Sequence, residues 1–338
     1  MEQIRSRKNQ YILHLRALAK DNDARRDAGE YVCDGEKLLH EALQSGAEVT
    51  SVLWRDAAAF PLPDGIVQYT ADAELAAYAS PLMHSPGPVF TVRIPVMRLP
   101  EPLRHVIVLE GVQDPGNVGT VIRTANALGM DTVVLTGACA DLYSPKTVRA
   151  AMGALFRQPV LTCTQDELVQ LLNANGLKLY GAALTDTAQD LRRVPLSPAA
   201  VAIGSEGRGL SAQLLSQCDG QIIIPMQPGA ESLNAAVAAA AVMYGMMMYV
   251  LAYSWNVMWL DGVMMLPLVV LGFERLMRTG KYGVYVLSLA YTLYANYYIG
   301  FMVCLFLVLY YLVYFFRQRR SAGRRARSFG RFAAGSLM

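Results

Sequence analysis

The chain has 338 residues, which is enough for two or three domains. Its net charge of +3 is unevenly distributed along the chain. Seven of the 30 basic residues lie in the C-terminal tail, with no acidic residue among them, at 317, 319, 320, 324, 325, 327 and 331. The rest of the chain has 23 basic and 27 acidic residues, so its overall charge gives no argument for a nucleic-acid partner. Five cysteines without paired spacing and four scattered histidines argue against a disulfide framework and a histidine-based metal centre, and we expect no metal.

Hydropathy divides the chain more sharply than charge does. Hydrophobic residues make up 54% of the sequence and the mean hydropathy is +0.27, and most of this excess lies after residue 245. Before that point apolar and polar runs alternate as they do in α/β enzymes. No secretion signal opens the chain, so we expect the part before residue 246 to be cytoplasmic.

Residues 1–97 are predicted to form a small α/β domain. Its start is a basic amphipathic helix, with cations at 5, 7, 8, 16, 20, 25 and 26. These cations either bind phosphates or form an ordinary solvated helix face. Strands are expected at 31–33, 49–54 and 89–94, and a helix opens at 34–36. Residues 98–105, which contain two prolines, are predicted to be a linker.

Residues 106–245 are predicted to form a second, larger α/β domain. Its elements alternate along the chain, with strands expected at 106–109, 133–135, 179–184, 201–203 and 222–224, and helices at 114–128, 145–155, 166–175 and 210–216. A final Ala-rich helix is expected from Ser232 to about residue 248. Strands separated by helices predict a mostly parallel sheet that is covered on both faces.

Three segments of this domain have residue types suited to a site, and the first is 117–125. A turn at 114–116 precedes a helix that has Asn117 near its start and Arg123 about two turns later. An arginine at such a place is usually a solvated charge. Arg123, however, lies among apolar neighbours, where a simple exposed face is less obvious.

The second segment, 203–210, is a glycine-rich loop between a strand and a helix. Its glycines, at 204, 207 and 209, let the backbone approach a ligand closely and leave amide groups uncovered. Their spacing is not that of a dinucleotide-binding fingerprint. Glu206 would repel a phosphate, so the loop favours a phosphate-free ligand. The cationic S-adenosylmethionine satisfies that requirement.

The third segment consists of Ile224-Pro225-Met226 followed by Ser232-Leu233-Asn234. Ser232 is predicted to open the last helix, and capping is an ordinary structural explanation for a serine there. Asn234 then falls inside the helix, where its low propensity suggests a function instead.

In this order and spacing the three segments resemble the motifs of the SpoU (TrmH-type) RNA 2′-O-ribose methyltransferases. The resemblance covers 106–244 and implies a trefoil-knotted, SPOUT-type α/β fold, a homodimer with the site at its interface, and S-adenosylmethionine as the methyl donor. It also implies donor contacts at Gly204, Ile224, Met226 and Leu233. By the same resemblance, the residues of catalysis and RNA contact are Asn117, Arg123, Glu206, Ser232 and Asn234.

Residues 30–97, which include Val32-Cys33-Asp34-Gly35-Glu36-Lys37-Leu38-Leu39, resemble the L30e-like substrate-binding domain that often precedes such methyltransferases. By analogy, that resemblance favours ribosomal RNA over transfer RNA as the substrate.

The residue types suit methyl transfer to a ribose 2′-hydroxyl, which is a poor nucleophile. The enzyme must align oxygen, methyl group and sulfur, and then manage the proton. An arginine stays protonated, so the expected role of Arg123 is to bind the adjacent phosphate and to help the hydroxyl lose its proton. Asn117, Ser232 and Asn234 are expected to orient the groups.

The composition changes abruptly after residue 245. Residues 246–273 carry only Asp261 as a charge and residues 282–316 carry none, so 246–317 is predicted to contain membrane-spanning helices followed by a basic tail at 318–338. The second run is expected to break near Asn296 and Gly300. Residues 253–262 and 296–301 resemble part of the YfhO-type bacterial membrane proteins, which implies that 246–316 is embedded in a membrane.

Two explanations of this change are a membrane-tethered methyltransferase and a chimeric reading frame, joined near residues 244–248 by recombination or by faulty sequence assembly. We favour the chimera, because an acid such as Asp261 in an apolar run is normally paired or functional, and a fragment lacks the partners.

Two other functions compete with methyl transfer. A membrane protein of glycan assembly rests on 246–316 alone, and a non-catalytic RNA-binding knot protein is disfavoured by the intact Asn117, Arg123, Glu206 and Asn234.

Overall fold

The structure is a computed structural model, and it describes residues 1–82, 87–227, 232–247, 265–295, 297–317 and 322–337. The chain divides into two compact units, Met1–Met247 and Met248–Met338. The first unit contains two sheets, one on each side of the predicted linker at 98–105.

The first sheet has five strands in the order β1-β4-β3-β5-β2. Its elements in chain order are β1 (Glu2–Gln3), α1 (Gln10–Lys20), α2 (Asn22–Ala28), β2 (Glu30–Asp34), α3 (Glu36–Gln44), β3 (Val49–Arg55), β4 (Val67–Ala71), α4 (Ala73–Ala79) and β5 (Val89–Arg93). Strand β5 pairs antiparallel with both β2 and β3, whereas β3 and β4 are parallel. The three predicted strands are present, and β1 and β4 are additions. The likeness of this part to an L30e-like domain and its boundary at residue 97 stay predictions.

Five of the seven N-terminal cations, the arginines, bind groups within the chain. Arg16 donates to the backbone carbonyl of Tyr78 at 2.6 Å and lies 4.0 Å from the centre of the Tyr78 ring. Arg7 pairs with Glu74 and also lies over the ring of Tyr78. These contacts favour a structural role for the basic helix over phosphate binding.

The second sheet has seven strands in the order β10-β12-β9-β11-β6-β7-β8, and all its pairs are parallel. Its elements in chain order are β6 (His105–Glu110), α5 (Pro115–Ala127), β7 (Thr132–Thr136), α6 (Pro145–Ala151), β8 (Val160–Thr162), α7 (Gln165–Ala174), β9 (Leu179–Ala182), β10 (Gln189–Asp190), β11 (Ala199–Gly204), α8 (Ala212–Ser216), β12 (Gly220–Ile223) and α9 (Ala235–Met246). The predicted parallel sheet is therefore confirmed. The short edge strands β8 and β10 were not predicted, because two or three residues carry too little periodicity.

Alternation along the central strand β6 explains why helices cover both faces of this sheet. Ile107 and Leu109 pack into one core with the apolar residues of α5 and α9, whereas Val106 and Val108 pack into a second core with those of α7 and α8. Successive side chains of a strand point to opposite faces, so a strand buried on both sides is apolar throughout. The connection from β12 to α9 includes residues 228–231, which lie outside the described residues, so the trefoil knot stays a prediction.

A buried ion pair joins the two sheets of the first unit. Arg25 of α2 is 4% exposed; its guanidinium donates to the carbonyl of Leu18 at 2.5 Å and pairs with Asp141, in the loop after β7. The rings of Tyr31 and Tyr143 pack 4.7 Å apart beside this pair. The N-terminal sheet is therefore held against the loop that leaves the second sheet.

The second unit consists of helices in the described residues: α10 (265–279), α11 (Gly283–Ala295), α12 (Tyr297–Arg317) and α13 (Ala322–Leu337). Their common core contains Phe273, Tyr285 and Leu307. Glu274 accepts a hydrogen bond from the Tyr310 hydroxyl at 3.0 Å and pairs with Arg278 at 2.9 Å.

The structure does not support the prediction of membrane-spanning helices at 246–317. Across the ranges that it describes, no helix combines the length and the apolar composition that a membrane span requires. In the second apolar run, α11 ends at Ala295 and α12 begins at Tyr297. The break predicted near Asn296 and Gly300 stays a prediction, because residue 296 lies outside the described residues. Residues 248–264, which include Asp261 and most of the first predicted span, lie outside the described residues.

Candidate active site

The glycine-rich loop at the end of β11 folds back on itself. Ser205 and Gly209 form an antiparallel bridge, and the amide of Gly209 donates to the carbonyl of Ser205 at 2.8 Å. A Cβ atom on Gly204 would lie 2.1 Å from the backbone carbonyl carbon of Gly209, so only glycine fits there. Gly209 has a φ of +65°, a left-handed conformation that glycine adopts without strain.

This loop forms one wall of a cavity of about 370 Å³, which we call the Gly204 cavity. Its other walls come from the carboxyl ends of β9 and β12 and from the residues around the start of α9. Six of the predicted site residues line it: Gly204, Glu206, Ile224, Met226, Ser232 and Leu233. Asn117, Arg123 and Asn234 do not.

The Gly204 cavity suits a phosphate-free nucleoside that carries charged groups. Its volume lies in the ordinary range for small-molecule sites. The walls are mostly apolar, with Ile203, Ile222 and Leu210 available to enclose a base, and both Glu206 and Arg208 border it. A carboxylate and a guanidinium together match an amino-acid group that bears both charges. S-adenosylmethionine therefore fits the residues present.

A hydrogen-bonded cluster lies beside the cavity and joins all three predicted segments. The side-chain amide of Asn117 donates to the Glu206 carboxylate, and the side-chain amide of Asn234 donates to the Asn117 side-chain oxygen at 3.1 Å. Asn117 is placed by the start of α5, where Asp114 caps the helix by accepting from the Asn117 backbone amide at 2.8 Å. We call Asn117, Glu206 and Asn234 the amide cluster.

The structure corrects the predicted start of the last helix. Asn234, not Ser232, is the N-cap of α9, and its side-chain oxygen accepts from the amides of Ala236 at 3.0 Å and Val237 at 3.3 Å. Asparagine is as good an N-cap as serine, so the pattern of residue types did not separate the two positions. Asn234 is therefore not a helix-interior residue, and its capping role leaves its side-chain NH₂ free to donate to Asn117.

Within one chain, Arg123 forms no hydrogen bond with the amide cluster. It is exposed on α5 and makes no hydrogen bond or ion pair with any of the residues that the structure describes. Six residues along a helix correspond to about 600° of rotation, so Arg123 and Asn117 lie on different faces of α5.

Glu110, at the carboxyl end of β6, is a site-supporting residue that the sequence reasoning missed. Glu110 is 7% exposed, and its carboxylate accepts from the Ser211 amide at 2.7 Å, from the Ser211 hydroxyl at 2.6 Å and from the Gln165 side chain. Since Ser211 follows the glycine-rich loop directly, Glu110 anchors the end of that loop. The sequence feature that could have identified Glu110 is its place as a single acidic residue at the end of a buried apolar strand.

The thiols near the site do not provide a nucleophile. Burial raises the pKa of Cys139, which donates to the carbonyls of Leu109 and Thr136, and burial also raises the pKa of Cys218 to about 11. Both therefore stay protonated at neutral pH, and a protonated thiol is a poor nucleophile. Within the described ranges there is also no group of acids, histidines or cysteines suited to a metal ion.

Comparison with protein families gives two matches. The model of the SpoU rRNA Methylase family matches residues 104–244, which contain the glycine-rich loop and the amide cluster. The model of the bacterial membrane protein YfhO matches residues 230–338.

Two curated relatives match most of the first unit and nearly all of their own length. The 23S rRNA (guanosine(2553)-2′-O)-methyltransferase RlmP of Bacillus subtilis is 38% identical over 248 residues, which are 72% of this chain and 98% of the relative. An uncharacterized tRNA/rRNA methyltransferase of Synechocystis is 32% identical over 253 residues, covering 71% of this chain and 92% of that protein.

Solved structures agree in fold. An AdoMet-bound rRNA methyltransferase from Sinorhizobium meliloti superposes with a TM-score of 0.66 at 24% identity, covering 72% of this chain and 96% of that one. The SpoU methyltransferase AviRb from Streptomyces viridochromogenes, in complex with AdoMet, has a TM-score of 0.64 at 27% identity, with 70% and 97% covered. The amide cluster, the glycine-rich loop and these likenesses agree, and the chain belongs to the SpoU rRNA methylase family.

Proposed function

We propose that this chain is an S-adenosylmethionine-dependent methyltransferase that methylates a ribose 2′-hydroxyl of ribosomal RNA. The observation that carries the proposal is the amide cluster, which brings Asn117, Glu206 and Asn234 together beside the Gly204 cavity. The B. subtilis relative is named for this reaction on 23S rRNA, and the match spans 98% of its length. The guanosine in its name is the first position to test.

The Gly204 cavity would hold the methyl donor. Gly204 leaves room for close backbone approach, while Ile224, Met226 and Leu233 line the cavity opposite the loop. When bound, S-adenosylmethionine supplies an electrophilic methyl group on a sulfonium. The Glu206 carboxylate, which borders the cavity, favours that positive charge.

The amide cluster would orient the ribose at the rim of the cavity. Asn117 and Asn234 fix each other through their side-chain amides, so their remaining donors and acceptors are held in one geometry. Ser232 lines the cavity and would hydrogen-bond the attacking hydroxyl. In-line positioning of this kind is the main contribution that the protein has to make, because the donor is already reactive.

Arg123 would act from a second copy of the chain. Its guanidinium lacks a partner among the described residues of its own chain and lies on a different face of α5 from Asn117, so a dimer would complete the site. Bound to the phosphate next to the target ribose, its charge would stabilise the oxyanion that forms as the hydroxyl proton leaves for water.

The N-terminal sheet, which we expect to be L30e-like, would bind the RNA around the target nucleotide. The buried Arg25–Asp141 pair supports this proposal, because it fixes the N-terminal sheet to the loop that follows β7, at the carboxyl edge of the catalytic sheet. RNA bound to the N-terminal sheet would thus be presented to the amide cluster in one orientation.

The test is a methyl-transfer assay with labelled S-adenosylmethionine on protein-free 23S rRNA, 16S rRNA and transfer RNA, followed by mapping of 2′-O-methyl positions. We expect transfer to 23S rRNA by the wild-type chain. Arg123→Ala should lower kcat at least a thousandfold while donor affinity stays within about twofold, since it removes a group that acts on the substrate. RNA binding without transfer by the wild type would contradict the proposal, and equal loss of donor binding in the variant would contradict the role of Arg123.

A further inference from the structure

A cleft lies where the N-terminal part of the first unit meets the second sheet's helix α6. It encloses about 310 Å³ and is lined from one side by the end of β2 and the start of α3, and from the other by α6. Lys37 projects from the first side and Arg149 from the second. We call this space the Lys37–Arg149 cleft.

The cleft contains positive charge without compensation. Of its two acidic side chains, Glu41 pairs with Arg157 at 2.7 Å, and Asp34 accepts a hydrogen bond from Ser80 at 2.5 Å. Lys37 and Arg149, by contrast, are exposed and make no hydrogen bond or ion pair with the residues described in the structure. Two unpaired cations on opposite walls attract an anion between them.

The remaining walls are apolar. Leu38, Pro81, Leu82 and Val148 line the cleft, and Met152 next to them is 49% exposed. Apolar walls around a pair of cations match the two parts of a nucleotide, since a base has an apolar face and its phosphate carries the charge.

The loop after β7 runs from the neighbourhood of the amide cluster to the cleft. Glu206 borders a second cavity, of about 410 Å³, that also contacts Gly137 and Ala138 at the start of the loop after β7. That loop ends at Pro145, which lines the cleft. The nine residues from Gly137 to Pro145 span at most about 30 Å even when fully extended, so one strand of RNA reaches both places.

We propose that the Lys37–Arg149 cleft binds a nucleotide on the same RNA strand as the target ribose, with its phosphate between Lys37 and Arg149 and its base against the apolar walls. This inference rests on the proposed function, because it takes RNA as the substrate. The cleft would hold the strand while the amide cluster acts on the ribose, so it would contribute to RNA affinity and not to the chemical step.

The test compares two double variants with the same change of charge. Lys37→Gln with Arg149→Gln removes both cations from the cleft. Arg104→Gln with Lys178→Gln is the matched control, because both residues are exposed, lack side-chain partners among the described residues and lie at the amino-terminal ends of β6 and β9, on the opposite edge of the sheet. Binding to 23S rRNA is measured across a range of salt concentrations, together with KM, kcat and donor affinity.

We expect the cleft variant to bind RNA about tenfold more weakly than wild type, with the slope of log affinity against log salt reduced by about 0.7 for the one single-strand phosphate held between the two cations. Its KM for RNA should rise while kcat and donor affinity stay within about twofold, which also shows that the variant is folded. The swap Lys37→Arg with Arg149→Lys should recover most of the affinity, because it keeps both charges.

A cleft variant that matches the control in affinity and salt slope would overturn the inference while leaving the proposed function intact, provided that the wild type transfers methyl groups. Loss of donor binding in the cleft variant but not in the charge-retaining swap would also overturn it, because the cations would then support the donor site. A wild type that transfers no methyl group to any RNA would refute the proposed function, and the cleft inference would fail with it.

Discussion

The side-chain amide of Asn234 donates to the side-chain oxygen of Asn117 at 3.1 Å, across 117 residues of sequence. The same Asn234 uses its oxygen to cap α9. One side chain therefore has two separable tasks, because the oxygen starts a helix and the NH₂ group holds the amide cluster together.

Substitutions at Asn234 should separate these tasks. Asn234→Asp keeps the capping oxygen but cannot donate to Asn117 at neutral pH, so stability should stay near wild type while kcat falls at least tenfold. Asn234→Ala loses both, and should in addition lower the free energy of unfolding by about 1 kcal/mol. Chemical denaturation and the methyl-transfer assay check the two effects. A fully active Asn234→Asp variant would show that the link to Asn117 has no part in catalysis.

Gly204→Ala should abolish donor binding. The added Cβ would lie 2.1 Å from the backbone carbonyl carbon of Gly209, so the glycine-rich loop would have to move and the Gly204 cavity would lose its wall. Gly207→Ala is the matched control, because a Cβ there meets no atom within 4 Å. Titration calorimetry with S-adenosylmethionine should give at least a hundredfold weaker binding for the first variant and a change of less than threefold for the second. Similar affinities for both variants would contradict the assigned cavity.

Mixing two inactive variants should restore activity if the site is shared between two copies. Asn117→Ala and Arg123→Ala lose different contributions, and a mixed dimer regenerates one intact site. Equal amounts, mixed under conditions that allow subunit exchange, should reach about a quarter of wild-type activity, since half of the dimers are mixed and each has one working site. Sedimentation should give a dimer. A monomer, or a mixture without activity, would place Arg123 outside the active site.

Arg25→Ala should destabilise the first unit by about 3 kcal/mol. It leaves Asp141 without its ion-pair partner and opens space at a position where Arg25 is 4% exposed. Asp141→Asn is the milder partner change, because an amide oxygen still accepts from the guanidinium. Urea denaturation measures both variants. An Arg25→Ala variant as stable as wild type would mean that the pair does not hold the two sheets together.

Removal of the residues after Met247 should leave methyl transfer within about twofold of the full chain. The structure divides the chain at this residue, and the family match to the methylase ends at 244. The amide cluster and the Gly204 cavity lie entirely before it. Sequencing a single native DNA clone across residues 244–248, with the mass of the natural product, tests whether the proposed chimera comes from faulty sequence assembly; a continuous clone and a full-length mass would refute that origin.

The sequence by itself determined the class of the fold and predicted which residues belong to the candidate site. Strands that are buried on both faces of a sheet are apolar throughout, without alternating polar residues. Such strands, separated by helices along the chain, therefore predict a parallel sheet that helices cover on both faces. The glycine-rich loop and its neighbours were recognisable because a close backbone approach restricts the residue types, as the 2.1 Å contact at Gly204 shows. Each of these constraints acts within a few residues, so the local sequence carries it.

The tertiary structure alone decided how those residues meet. No local sequence pattern predicts the hydrogen bond between Asn234 and Asn117, because these residues lie 117 positions apart. The same holds for the hydrogen bonds from Ser211 to Glu110, which lie 101 positions apart. The helix start at Asn234 was mispredicted at Ser232, since both residue types cap equally well and only the packing of α9 selects one. The Lys37–Arg149 cleft has walls from two parts of the first unit that are far apart in sequence, and contacts such as the Arg25–Asp141 pair hold those parts together. Contacts between residues so far apart in sequence depend on how the helices and sheets pack, and that packing is present only in the folded chain.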